Sequence, residues 1–74
     1  MKKVLNQMKY KEKGRIVEIK TAEVREKLMS MNIRIGKEVK MLAKQPLKGP
    51  VAIEVENAQT SLSQEIARQI IVEV

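Results

Sequence analysis

The sequence has no cysteine, no histidine, no phenylalanine and no tryptophan, and Tyr10 is its one aromatic residue. Aspartate is absent as well, so all nine acidic residues are glutamates. Each absence closes a class of function. Without cysteine there is neither a disulfide framework nor a thiolate metal site. Without histidine the usual base of a nucleophilic triad is missing, and so are the usual nitrogen ligands of zinc. Paired-carboxylate catalysis would need two glutamates with well-separated pKa values, which 74 residues have little depth to arrange. This inventory reads as a protein that is not an enzyme. No apolar run approaches the roughly 18 residues of a membrane span.

What remains is one small domain over residues 1–74, 43% hydrophobic and 32% charged. Isoleucine, valine and leucine supply nearly all of the core material, which favours strands over helices. Fifteen basic residues face nine acidic ones, a net charge of +6. Such a surface is attracted to phosphate backbones, anionic membranes or acidic protein faces. The opening Met1-Lys2-Lys3-Val4 is followed by polar Asn6, Gln7 and Lys9, which interrupt any export signal, so the cytoplasm is the expected compartment.

Residues 1–12 read as a basic lead-in with Val4, Leu5 and Met8 as its apolar points. Gly14 opens a strand through Ile19 that is bent or partly covered on both sides, because Val17 and Ile19 share a face and Ile16 falls on the other. Thr21 is placed to cap a helix of about three turns, with Glu23 in its first turn and Val24, Leu28 and Met31 as its buried stripe. Asn32 suits the left-handed residue that closes it, and Gly36 the turn that follows. Val39, Met41 and Ala43 alternate as a second strand. Gln45-Pro46-Leu47-Lys48-Gly49-Pro50 breaks the chain. Val51, Ile53 and Val55 form the clearest half-buried strand, with Asn57-Ala58 as the hairpin turn before Thr60 and Leu62. Ser61 or Ser63 can cap a helical turn around Ile66, and Ile70, Val72 and Val74 close the sequence as a strand. About five strands, one early helix and one late helical turn suit a mainly β, small SH3-like antiparallel barrel, not a doubly wound parallel sheet.

Four features are candidates for function. The lysines at 2, 3, 9, 11 and 13 suit a nucleic-acid arm, although single-strand binders stack bases on aromatics and only Tyr10 is present. Met31 and Met41 read as core filling, whereas Met29 lies beside the helix stripe as a contact residue. Glu54 and Glu56 share a strand face about 7 Å apart and are the candidates for a hard cation. Lys44, Leu47 and Lys48 sit on a proline-stiffened loop suited to contact.

Taken as a string, Gly14-Arg15-Ile16-Val17-Glu18-Ile19, then Val24 to Ile33, then Ile35-Gly36-Lys37-Glu38-Val39 resembles the FeoA family of ferrous-iron transport proteins. That family's pattern is a Gly-led strand, a helix ending in Leu-x-x-Met-Gly-Leu, a Pro-Gly turn and a Val-rich strand. Pro50-Val51-Ala52-Ile53-Glu54-Val55, Ser61-Leu62-Ser63, Glu65-Ile66-Ala67 and Ile70-Ile71-Val72 continue the likeness, which covers about residues 13 to 74. Asn32 stands where the family usually has Gly, Ile35 where it has Pro, Ala58 where Gly is typical and Ile66 where a second acidic residue is typical. The resemblance implies a cytoplasmic accessory protein acting on FeoB, a membrane iron transporter with a cytoplasmic GTPase domain, and contacting the membrane only through it. It also implies kinship with the C-terminal barrel of iron- and manganese-dependent repressors, an interaction module. It brings no bound cofactor; any Fe²⁺ or other divalent ion would fall to glutamate and backbone oxygens and bind weakly. The expected partner surface is Met29, Ile33, Lys44, Leu47 and Lys48. The competing readings are a basic nucleic-acid-binding barrel of ribosomal or translation-factor type, and a transition-metal sensor.

Overall fold

A computed structural model describes all 74 residues. Its strands are β1 (Lys2–Val4), β2 (Lys13–Ile19), β3 (Glu38–Lys44), β4 (Val51–Val55), β5 (Ala58–Leu62) and β6 (Ile70–Glu73). Two helices, α1 (Ala22–Met29) and α2 (Gln64–Ala67), and a 3₁₀ turn at Leu5–Gln7 complete it. All strand pairs are antiparallel, in the order β1-β6-β2-β3-β4-β5. The molecule measures 28 × 23 × 22 Å, so the sheet curls around its own core as a small SH3-like barrel.

Two bulges produce the curl. Between β2 and β6 the register passes from Ile16↔Val72 to Glu18↔Ile71, leaving Val17 as the extra residue. Of the two alternatives the sequence left open the strand takes the bend, which turns both Ile16 and Ile19 into the core at 1% exposure. Leu42 is the extra residue in β3, between Met41↔Ile53 and Ala43↔Ala52. The edges β1 and β5 do not pair. Gln64 of α2 spans the gap, accepting from Asn6 Nδ2 at 2.9 Å and donating to the Gly49 carbonyl at 2.9 Å.

The core is a single cluster of 16 buried apolar residues with no buried polar side chain. Full burial of each Ile, Leu, Val or Met contributes about 1.5–3 kcal/mol before entropy is subtracted. The basic lead-in belongs to this body. Lys2, Lys3 and Val4 pair with Glu73, Val72 and Ile71, while Leu5 and Met8 are fully buried. Glu12 fastens the segment, because its carboxylate accepts from the Lys9 amide at 2.9 Å and from Lys3 Nζ at 3.1 Å.

The hairpin turn is Glu56-Asn57, not Asn57-Ala58. Val55 pairs with Ala58, and both turn residues have positive φ, 50° and 67°. Two left-handed central residues match the twist of a two-residue hairpin, and the register that buries Ile53 and Leu62 leaves no other position for the turn. Ala43, expected on the core face, is exposed because the Leu42 bulge rotates it out.

Gly14 marks a close approach of β2 to the end of the chain after β6. A Cβ there would lie 2.9 Å from Val74 Cγ1 and 3.1 Å from the Glu73 carbonyl. Gly14→Ala is expected to lower stability by about 1–3 kcal/mol in urea denaturation, with the slope unchanged. The Glu12 pKa lies below its ordinary value near 4.5, chiefly through the Lys9 amide and then through Lys3. An unfolded Glu12 therefore takes up a proton first as pH falls. Its stabilising contribution is complete above about 4.5 and is lost as pH drops through the folded value. Glu12→Gln is expected to flatten the acid limb of the stability–pH curve, measured as urea midpoints from pH 7 downward.

Candidate interaction surfaces

Helix α1 begins where Thr21 Oγ1 accepts from the Val24 amide at 3.3 Å, with Glu23 in the first turn. It is shorter than expected, and its end decides which side chains reach the surface. The Ile33 amide donates to the Leu28 carbonyl at 3.0 Å and the Asn32 amide to the Met29 carbonyl at 3.0 Å, with Asn32 at φ 62°. This pair of bonds is the Schellman closure, which lays the residue after the left-handed position against the last helical turn. Ile33 accordingly packs into the core with Leu28 at 1% exposure and has no surface to offer a partner. Met31 leaves the stripe for the same reason and is 40% exposed, so it is not core filling. Met41 is fully buried, as its strand position required.

Met29, at 53% exposure, is therefore joined by Met31 and by Ile35, at 50%. Three exposed apolar side chains thus lie within seven residues of a closely tied connection. Gly36, at φ 98°, turns the chain into β3, and Arg15 donates to its carbonyl at 2.7 Å. Sequence reasoning missed Met31 and Ile35. Asn32 was the signal that could have found them, because a left-handed closure at that position implies a buried residue after it and an outward one before it.

Glu54 and Glu56 are not a carboxylate pair on one strand face. Glu56 lies in the turn, where Lys37 Nζ donates to its carboxylate and Asn32 Nδ2 approaches it at 3.4 Å. Glu54 and Glu56 nevertheless line one cleft of about 270 Å³, together with Lys13, Glu38, Lys40 and Asn57. Three glutamates line this cleft, but no group of three acidic side chains in the molecule is placed to hold a metal ion, and Lys13 and Lys40 share the cleft with them. The donor set does not fit a divalent ion.

Lys44, Leu47 and Lys48 lie elsewhere. The Gln45–Pro50 loop leaves the Val51 end of β4, whereas Glu56, with Asn32 beside it, follows the Val55 end about 13 Å away. The expected contact set is thus divided, with Met29 at one end of the barrel and Lys44, Leu47 and Lys48 at the other. Leu47 is 99% exposed. A third feature, a groove of about 480 Å³ between α1 and α2, is lined mostly by polar groups, among them Glu23, Lys27, Glu65 and Gln69.

The family model described as the FeoA domain matches residues 3–74. A crystal structure of an iron uptake regulatory protein, FeoA, superposes at TM-score 0.89 with 28% identity, covering 99% of this chain and 97% of that one. An FeoA-like protein from Clostridium acetobutylicum gives TM-score 0.85 and 31% identity, over 99% and 86%. A manganese-dependent transcriptional repressor shares the fold at TM-score 0.89 and 19% identity, and this chain spans 41% of its length. No curated protein matches the sequence.

Mn²⁺ or Fe²⁺ at millimolar concentration is expected to leave the melting temperature of the chain where it was. A ligand bound only by the folded state raises it, so an upward shift of several degrees would reinstate a metal site.

Proposed function

The chain belongs to the FeoA domain family, which has its role in ferrous-iron transport, and from that premise we propose that it is a non-enzymatic accessory protein that docks on the cytoplasmic part of an FeoB-type iron transporter. The observation that carries this reading is the exposed apolar run Met29, Met31 and Ile35, held on a connection fixed by the Schellman closure and the Arg15 bond. Thioether side chains on a fixed backbone adapt to a partner groove at low ordering cost. Lys27 and Arg34, which flank the run and form no ion pair, give a basic rim to the apolar centre, the usual anatomy of a transient interface. An FeoA structure matched over 97% of its own chain supports a module of this size, and no helix here is long and apolar enough to cross a membrane.

The test is binding of the isotope-labelled chain to the transporter's GTPase-containing cytoplasmic domain in lipid-free buffer. Amide shifts are expected to concentrate on residues 28–37. Met29→Glu with Ile35→Glu is expected to weaken the complex at least tenfold, the scale of losing a buried contact of more than about 1.4 kcal/mol. Both positions are exposed, so the melting temperature should hold. Unchanged affinity in that double variant would sink the proposed face.

A further inference from the structure

We propose that the opposite end of the barrel, formed by the turn at Lys9–Glu12 and the loop Gln45–Pro50, docks directly on an anionic lipid bilayer, with Leu47 and Tyr10 entering the boundary between headgroups and acyl chains.

The two segments extend toward the same end of the barrel. The Lys11 amide donates to the Met41 carbonyl at 2.7 Å, and β3 then runs alongside the Lys9–Glu12 turn into the loop. Gln64 links Asn6 to the loop carbonyl of Gly49. Lys9, Lys11, Lys44 and Lys48 therefore gather at this end, and none has a carboxylate within ion-pair reach. The nearby Glu12 is taken by Lys3 and the Lys9 amide, while Glu65 lines the groove toward α1. The end is consequently net positive. Tyr10 is 68% exposed, with Lys11 Nζ 5.4 Å from its ring centroid.

Leu47 sets the occupant. It stands at the tip of the loop, 99% exposed, touching nothing that would stabilise the fold. Leu47 and Lys48 both have φ of 60°, and the Gly49 amide donates to the Pro46 carbonyl at 3.2 Å. These are the two left-handed positions of a tight turn, where Asn-Gly is the favoured pair and a leucine is strained. A strained residue held out in water is a feature that stability alone would remove. An aliphatic tip ringed by lysines and backed by a tyrosine is complementary to a negative surface over hydrocarbon. A nucleic acid would use the lysines, but it has no place for Leu47, and a single tyrosine is a poor stacking platform. This surface is separate from the Met29 face, so either can fail without the other.

The test uses the full chain with vesicles of phosphatidylglycerol and phosphatidylcholine in equal parts, and with vesicles of phosphatidylcholine alone. The chain is expected to sediment with the anionic vesicles at low salt, to be released as salt rises, and to ignore the neutral ones. Leu47→Asn relaxes the backbone, so the melting temperature should hold or rise while vesicle partitioning falls roughly tenfold. Lys44→Gln and Lys48→Gln should each reduce it about fivefold. Leu47→Trp installs the only tryptophan, whose emission should move to the blue on anionic vesicles alone. The proposal is overturned if the chain stays in solution with anionic vesicles at low salt. It is equally overturned if Leu47→Asn and the lysine variants bind as the parent does, or if the tryptophan emission does not move. Salt-sensitive binding of single-stranded RNA by a chain that ignores the vesicles would reassign the basic end to nucleic acid.

Discussion

Strand β6 is the constraint on which the barrel depends. It lies between β1 and β2, so four residues join the N-terminal segment to the rest of the sheet. Ile70 and Val72 are fully buried, and Ile71 and Glu73 complete the register on the other face. Without β6, β1 has no partner strand and β2 exposes an edge over the half of its length beyond the pairing with β3. Such an edge invites pairing with other chains. The close passage of β2 over β6 also fixes Gly14, since any side chain there would meet Val74 and the Glu73 carbonyl. The Val17 bulge is the geometric consequence. One strand must pair with β3 at its start and β6 at its end, and the extra residue lets both Ile16 and Ile19 reach the core.

Much of this was legible wherever a single local rule decided the outcome. The Thr21 cap, the left-handed Asn32, the turn at Gly36 and the alternation of Val51, Ile53 and Val55 were each readable from a few residues. Illegible were the places where register overrides local preference. Asn57 is a good turn residue, yet the turn takes Glu56 as its other half because the register Val51↔Leu62 and Ile53↔Thr60, which buries Val51, Ile53 and Leu62, sets the strand ends. Residues 2–8 show no period that marks a strand, and only the open edge of β6 makes one of them. The grouping of the contact residues was out of reach for a similar reason. Nothing local tells which end of β4 a loop occupies.

The helix terminus translates local chemistry into surface. A Schellman closure rotates the chain by a fixed amount, burying Ile33 and turning Met29 and Met31 outward in the same step. An apolar run on a frayed helix end would lose rotamer and backbone freedom on binding. Here two backbone bonds, the Arg15 bond to Gly36 and the Lys37–Glu56 pair have already ordered the backbone. The same feature that removes Ile33 from the surface makes its neighbours better contacts.

The separation of core and surface also explains how so small a chain tolerates strained and exposed positions. All 16 core residues are apolar, and no buried side-chain nitrogen or oxygen is left without a hydrogen bond, so the interior carries no polar penalty. Left-handed backbone at non-glycine residues costs roughly 1–2 kcal/mol each, a substantial share of a total stability of about 5–15 kcal/mol. At Asn32 and at Glu56-Asn57 that strain is offset in the fold itself, by helix closure and by hairpin register. At Leu47 the side chain gains nothing within the fold. The loop could hold Asn-Gly at its tip with the same hydrogen bond and less strain. A compensating interaction for Leu47 must therefore come from outside the chain, and the unpaired lysines around it give that interaction its sign.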